Sequence, residues 1–165
     1  MLFKRRVCTK KYKESAKVFI NAYGWFVKEA QYIVPKPEGA EYPYWAFTDL
    51  YNVDQTGDGH VLTLDVPIGE AILFDMFDWT KIMQMHYIGE NESEESAFSE
   101  ELKNMGMNEF QIMTSNFYPE QKARIQESWN RLFNHQQAIE AGDNSGVHSV
   151  QAGLWCIKDE WIVKE

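Results

Sequence analysis

Cysteine is scarce in this sequence, which has Cys8 and Cys156 and no other among its 165 residues. Two thiols cannot form the disulfide framework that stabilises a small secreted domain. The chain does not open with the charged and then apolar stretches of a signal peptide, and no apolar run approaches the ~20 residues of a membrane span. We therefore expect a cytoplasmic protein with reduced thiols that does not contact a membrane.

Familiar catalytic and metal-binding motifs are absent as well. The sequence has neither a glycine-rich phosphate loop nor a Gly-x-Ser-x-Gly elbow, and its four histidines show no zinc-ligand spacing with the two cysteines. Asp75 and Asp78 could form an acid–base pair, but helix capping explains both carboxylates without any chemistry. We predict no catalytic residue, no metal and no cofactor, and we favour a protein that is not an enzyme.

What remains is the composition of an ordinary folded domain. Apolar residues make up 44% of the chain and charged residues 25%. A chain of this length buries roughly 70% of its unfolded surface on folding. Because no repeat and no long linker divides the sequence, we predict one domain over residues 1–165.

Hydrophobic periodicity predicts strands and helices in mixed order. The predicted strands span 2–9, 44–51, 61–66 and 149–157. The predicted helices span 12–33, 75–87 and 119–142, with a solvated acidic helix within 90–109 that ends at Gly106. Pro35 ends the first helix, and Asp75 with Asp78 forms a capping box at the second. We predict an α+β fold in which a small mixed or antiparallel sheet is packed by two long amphipathic helices.

The segment Asp54–Asp65 fits two patterns. As a twelve-residue calcium loop it has oxygen donors at positions 1, 3, 5 and 12 and glycine at position 6. However, its last position is aspartate rather than the usual glutamate, and Val61–Val66 resembles a strand that Pro67 follows, not a helix. We favour a turn that joins strands 44–51 and 61–66 as a hairpin.

Charge is distributed unevenly along the chain. Residues 1–17 hold seven basic residues and one acidic residue and carry +6, whereas the other 148 residues carry −15. An acidic body repels a phosphate backbone, which argues against direct nucleic-acid binding. Residues 90–109 hold seven acids against one lysine. We predict that this segment docks a basic protein surface. The candidate docking residues are Glu92, Glu94, Glu95, Glu100 and Glu101.

Aromatic residues form 15% of the chain, more than a core of this size needs. Residues 42–47 are so dense in rings that the rings must project to both sides of a strand. A pocket that stacks on a planar ligand could contain Tyr44, Trp45, Trp79, Trp129 and Trp155, with Gln151 reading an amide or a base edge. We favour the other interpretation, in which the tryptophans fill the joint between helix and sheet.

These clusters resemble a bacterial family known as a domain of unknown function, DUF3841. The likeness is carried by segments in collinear order. They are 42–47 (Tyr-Pro-Tyr-Trp-Ala-Phe), 62–67, 72–79, 128–133 and 150–155 (Val-Gln-Ala-Gly-Leu-Trp). The chain departs from the family's pattern at Phe74, where serine is expected, and over residues 88–110. The resemblance covers residues 42–157 and implies no established activity.

The order of elements is also loosely similar to the ADP-ribosyltransferase-like fold. In that fold a late strand carries a catalytic acid, where this chain has Gln151. The likeness implies a nucleotide-handling enzyme, with altered or lost chemistry and with the aromatic cleft as its base pocket.

Two classes of function therefore stay open. The first is a small acidic cytosolic protein, encoded by a bacterium or a mobile element such as a phage, that binds or inhibits a basic partner protein. The second is the nucleotide-handling enzyme. We favour the first, because the chain offers acidic charge and surplus rings but no convincing nucleophile, metal set or phosphate cradle.

Overall fold

The computed structural model describes residues 2–4, 17–53 and 61–163. Within these ranges the chain forms strands, α-helices and short 3-10 turns. The strands are β1 (Leu2–Lys4), β2 (Tyr44–Phe47), β3 (Val61–Thr63), β4 (Ile72–Asp75) and β5 (Val150–Leu154). The α-helices are α1 (Lys17–Ala30), α2 (Met76–Met83), α3 (Glu92–Asn104), α4 (Glu109–Thr114), α5 (Pro119–Ser128) and α6 (Gln136–Glu140). The predicted α+β class is confirmed. Among the described helices, none has the length and apolar character needed to cross a membrane.

The five strands form one antiparallel sheet in the order β3-β1-β2-β5-β4. Strand β5 is central to its half of the sheet, because it pairs with β2 on one side and with β4 on the other. At the far edge, residues 161–163 extend beside β3. There the Asp65 amide donates to the Trp161 carbonyl at 2.8 Å, and the Val163 amide donates to the Thr63 carbonyl at 2.9 Å.

The predicted hairpin between β2 and β3 is wrong, because β1 lies between these strands and pairs with both. Strand β2 also ends early. The Asp49 carboxylate accepts a hydrogen bond from the Tyr51 amide at 2.9 Å and caps a 3-10 turn at Leu50–Asn52. Because β1 lies between β2 and β3, the backbone groups on both of its edges have a neighbouring strand to bond. At the edge of the sheet, one of these rows of groups would have no strand partner. Residues 54–60, on which the calcium pattern also depends, lie outside the described residues.

Each face of the sheet carries its own hydrophobic core. Side chains alternate between the two faces along a strand, so Ile72 and Phe74 of β4 join the larger core and Leu73 joins the smaller one. The larger core also contains the buried faces of α1, α2 and α3. The smaller core is closed by Ile139 of α6 and by Trp161.

Helix α1 is the amphipathic helix that the periodicity predicts. Ala22, Phe26 and Ala30 are four residues apart and have no exposed surface, which is the spacing of one helical face. The helix ends at Ala30, three residues earlier than predicted, and a turn leads from it to Pro35. Residues 12–16 of the predicted helix lie outside the described part of the chain.

The long helix predicted over residues 119–142 is broken into α5, a 3-10 segment at Trp129–Phe133, and α6. The break coincides with contacts to a distant loop. The Ser128 hydroxyl donates to the Ile125 carbonyl at 2.7 Å and accepts from the Ile88 amide at 3.0 Å. A side chain that bonds both its own helix and a neighbouring backbone competes with regular helical geometry. The prediction of two long amphipathic helices is therefore wrong for the second.

Helix α2 begins where β4 ends. Its predicted N-cap is confirmed, because the Asp75 carboxylate accepts a hydrogen bond from the Phe77 amide at 3.0 Å. Asp78 pairs with Lys81 at 3.3 Å instead of completing the predicted capping box. The helix stops at Met83, earlier than the predicted Tyr87, and Met85 takes a left-handed φ of 63° just beyond it.

Trp129→Ala is expected to lower the free energy of unfolding by about 3–5 kcal/mol. The side chain is fully buried, meets the Trp25 ring edge-on at 5.5 Å, and donates from Nε1 to the His86 carbonyl at 2.8 Å. Urea unfolding measures the loss. The control Trp129→Phe keeps an aromatic ring without the indole donor and should cost less. A loss under about 1 kcal/mol in the alanine variant would contradict the packing described here.

Candidate functional site

The predicted aromatic pocket is a packed cluster of rings. Trp45 and Trp79 lie 5.0 Å apart between centroids, and both contact Phe26 of α1, at 5.1 and 5.2 Å. The Trp45 Nε1 donates to the Tyr23 hydroxyl at 2.8 Å. Because these rings pack against one another between helix and sheet, they supply core stability in the geometry that aromatic pairs prefer.

The other predicted pocket residues do not share one site, because they lie on both faces of the sheet. Tyr44 packs against the smaller core, on the opposite face of the sheet from Trp45. Trp155 is buried in the larger core, and its Nε1 donates to the Val34 carbonyl at 2.7 Å. Gln151 shares the face of the larger core, since it stands opposite Phe74 in the register of β4 and β5. The structure thus brings Trp45 and Trp79 into contact and puts Tyr44 elsewhere.

Gln151 is a buried amide in the middle of the sheet. It is 4% exposed, and its Oε1 has no hydrogen-bond partner in the described part of the chain. A buried polar atom without a partner costs about 1–3 kcal/mol.

Helix α3 carries the predicted acidic residues, and its N-cap is Asn91, whose side chain accepts a hydrogen bond from the Glu94 amide. It ends near Gly106, as predicted, where φ is 72°. Its five candidate glutamates have different surroundings. Glu95 binds Lys81 at 2.7 Å, and Glu101 binds Arg124 at 2.6 Å.

Glu94 is the most heavily bonded of the five. It accepts from the Tyr87 hydroxyl at 2.6 Å and from the Glu90 amide at 2.7 Å, and it lies 3.5 Å from Arg131. The Tyr87 hydroxyl, the Glu90 amide and Arg131 hold the pKa of the Glu94 carboxyl below its ordinary value. Glu92 and Glu100 are exposed, and neither has a salt-bridge partner among residues 2–4, 17–53 and 61–163.

An open groove of about 400 Å³ runs beside α3. Its charged lining consists of the acids Glu95, Glu100 and Glu109 and the bases Lys81, Lys103 and His86. Burial opposes the charge on Lys81, but its contacts with Glu95 and Asp78 raise its pKa above the ordinary value. The groove therefore combines acidic and basic side chains on one polar surface.

His86 and Glu109 form the most pH-sensitive pair of the groove. The His86 Nδ1 lies 2.9 Å from Oε2 of Glu109, whose other oxygen accepts from the Tyr87 amide at 2.9 Å. The hydrogen bond to Glu109 raises the pKa of His86 above 6.5 against partial burial, and the charge of Glu95 adds to the effect while Lys81 opposes it. At neutral pH this histidine is closer to its cationic form than a free one.

Asp75 and His148 form a second histidine–carboxylate pair, which the sequence did not predict. The His148 Nδ1 lies 2.9 Å from Oδ2 of Asp75. Asp75 was predicted as a helix cap alone, and the two residues are too far apart in the chain for any spacing rule to link them. The pairing of β4 with β5 brings them together, since Asp75 stands opposite Val150. Among the described residues, no three histidine, cysteine, aspartate or glutamate side chains gather as a metal site.

The chain belongs to the family described as a domain of unknown function, DUF3841, whose model matches residues 1–163. The match extends beyond residues 42–157 in both directions. It also runs through residues 88–110, where the resemblance departs from the family's pattern. No curated protein and no solved structure matches the chain. The similarity to the ADP-ribosyltransferase-like fold accordingly stays a prediction.

Gln151→Met is expected to raise the free energy of unfolding by about 1 kcal/mol, because it removes the unpartnered amide oxygen at similar volume. The matched control is Gln136→Met. Gln136 is equally buried, but its amide accepts from the Leu73 amide and donates to the Ala71 carbonyl, so its loss should destabilise by about 1–3 kcal/mol. Chemical denaturation compares the two. Equal destabilisation would show that Gln151 is as well bonded as Gln136.

The stability that His86 contributes is expected to fall as pH rises. Its folded-state pKa lies above the unfolded value of 6.5. The contribution is therefore complete below that value and is lost as pH passes the raised pKa. The free energy of unfolding of the wild type minus that of His86→Gln should shrink from about pH 5.5 to about pH 8.5. Glu109→Gln should abolish this dependence, whereas parallel wild-type and His86→Gln curves would refute it.

Proposed function

We propose that this chain is a small acidic binding or inhibitory protein of the bacterial cytoplasm, encoded by a host or a mobile element, that docks a basic surface of a partner protein. The groove beside α3 is its candidate docking site. The observation that carries the proposal is the pair Glu92 and Glu100, two exposed carboxylates on the helix that forms one wall of this groove.

The bonds between α3 and its neighbouring elements restrict which of its carboxylates a partner protein can use. Glu94, Glu95 and Glu101 already bind Tyr87, Lys81 and Arg124. These bonds fix the helix to its neighbours and leave little charge uncompensated. Glu92 and Glu100 lie outside this network and supply the free negative field, whereas the carboxylate of Glu90 lies 3.7 Å from Arg131.

Arginine suits this groove better than other basic groups. A guanidinium can bond carboxylate oxygens bidentately and stack on an aromatic ring. The groove offers Glu100 as an exposed acceptor, whereas the Tyr87 ring of its lining already stacks on Phe98 at 4.4 Å. Electrostatic attraction of this kind raises the association rate and weakens as salt screens it.

The nucleotide-handling alternative is less well supported. Its aromatic cleft corresponds to rings that pack on one another, and Trp79 and Trp155 are 4% and 5% exposed. The groove beside α3 mixes three acids with Lys81, Lys103 and His86, so it offers no excess of positive charge to a nucleotide's phosphates.

The double variant Glu92→Gln with Glu100→Gln is expected to bind a fluorescent nona-arginine peptide about three- to tenfold more weakly at low salt, since two exposed ion pairs contribute roughly 0.2–1 kcal/mol each. The matched control is Glu38→Gln with Glu41→Gln, which removes the same charge from an exposed loop and should bind almost as the wild type does. Fluorescence anisotropy measures both.

Equal weakening in the two double variants would mean that the peptide senses net charge alone, which would contradict a docking site on α3. A thermal shift with added ATP or NAD, in the absence of peptide binding, would favour the nucleotide-handling enzyme instead.

A further inference from the structure

A second groove of about 230 Å³ lies where β2 and β5 meet the loops at one end of the sheet. Its polar lining includes Thr48, Asp49, Asn144, His148 and Ser149. Two hydrogen bonds connect its walls. The Asn52 side chain donates to the Ser149 hydroxyl at 2.7 Å, and the Thr48 hydroxyl donates to the Val150 carbonyl at 3.3 Å. The groove is thus built from two segments that the sheet and its side chains keep in register.

Asp75 fixes the histidine of this groove. Its carboxylate is 3% exposed and accepts from the Phe77, His148 and Ser149 amides, at 3.0, 2.9 and 3.4 Å, as well as facing the His148 ring at 2.9 Å. Burial alone would raise the pKa of Asp75, but these hydrogen bonds lower it below the ordinary value. Asp75 is therefore ionised at neutral pH. An ionised carboxylate only accepts hydrogen bonds, so the group that faces it must be a donor.

The ionised carboxylate determines which nitrogen of His148 carries the proton. Nδ1 donates to Asp75, so in the neutral ring the lone pair lies on Nε2. Nε2 is on the side of the ring away from Asp75, and the side chain of His148 is 76% exposed. An oriented imidazole with an accessible lone pair is the arrangement that a general base requires.

The surroundings of His148 favour an uncharged substrate with an apolar part. Asp49 is the acidic residue of the lining, and no lysine or arginine lines the groove within the described residues. A phosphate or carboxylate would therefore find no countercharge there. The half-exposed Phe77 ring lies 5.1 Å from the His148 ring and offers a hydrophobic contact to an acyl or aryl group.

We propose that this groove is a hydrolytic site for small uncharged esters, in which His148 is the general base and Asp75 is its positioning residue. Nε2 takes a proton from a water molecule as the water oxygen bonds to the ester carbonyl carbon. The bond from that carbon to the leaving alkoxide then breaks, and Nε2 returns the proton to the leaving oxygen. Carboxylic acid and alcohol are the products, and no oxidant or further reactant is needed. The site is separate from the groove beside α3 and does not depend on the docking function.

The test uses the full chain and para-nitrophenyl acetate as the probe. His148→Gln should lower kcat/KM about 100-fold, the usual contribution of a positioned general base, whereas His135→Gln should leave it unchanged. Similar rates for the wild type and both variants would overturn the proposal. A burst of nitrophenol in the first turnover would also overturn it, because a burst marks a covalent acyl intermediate on the protein rather than attack by water.

Two further variants separate positioning from structure. Asp75→Asn keeps a helix cap but removes the charge, so it should lower the rate at least tenfold and abolish the preference for the Nδ1-protonated form in the imidazole nitrogen NMR spectrum. Phe77→Ala should raise KM with little change in kcat, as loss of a uniform binding contact does. An unchanged tautomer and rate in Asp75→Asn would contradict the role given to Asp75, and an unchanged KM in Phe77→Ala would contradict the apolar contact.

Discussion

Burial of strand β5 is the constraint on which the rest of the structure depends. All five of its residues are buried, and it pairs with β2 and β4 along its length. Its alternating side chains supply both cores: Ala152 and Leu154 face the smaller one, and Trp155 just beyond the strand joins the larger one. Gly153 lies under the Phe26 ring, where a Cβ would come within 3.2 Å of it. Helix α1 can therefore approach the sheet closely enough to close the larger core.

Local sequence patterns predicted the elements whose cause is local. The four-residue spacing of Ala22, Phe26 and Ala30 describes one helical face wherever the helix lies, and Asp75 caps α2 through a bond two residues away. The order of strands is not local. Nothing in the segment 44–66 indicates that β1, from the start of the chain, separates β2 from β3. The short connection between these two strands predicted a hairpin, but β1 pairs with each of them instead.

The same distinction explains the candidate sites. The acidic run in 90–109 is visible in the sequence, but its neutralising partners Lys81, Arg124 and Arg131 come from other elements. The run therefore overstates the charge that a partner protein would meet. Trp45 and Trp79 were predicted as neighbours, and they are, yet ring count alone cannot tell a ligand pocket from a filled core. The pair Asp75 and His148 follows from strand pairing, which no motif encodes.

Asp75 shows how one buried charge can serve the fold and a site together. A carboxylate removed from water is costly unless donors replace its hydration. Here the donors come from the start of α2 and from the loop before β5, so the bonds that stabilise the charge also join β4, α2 and β5. The ring of His148 adds one more bond to a carboxylate that the backbone already holds in place. Its orientation is consequently set by the fold rather than by a ligand, which is the preorganisation that acid–base chemistry requires.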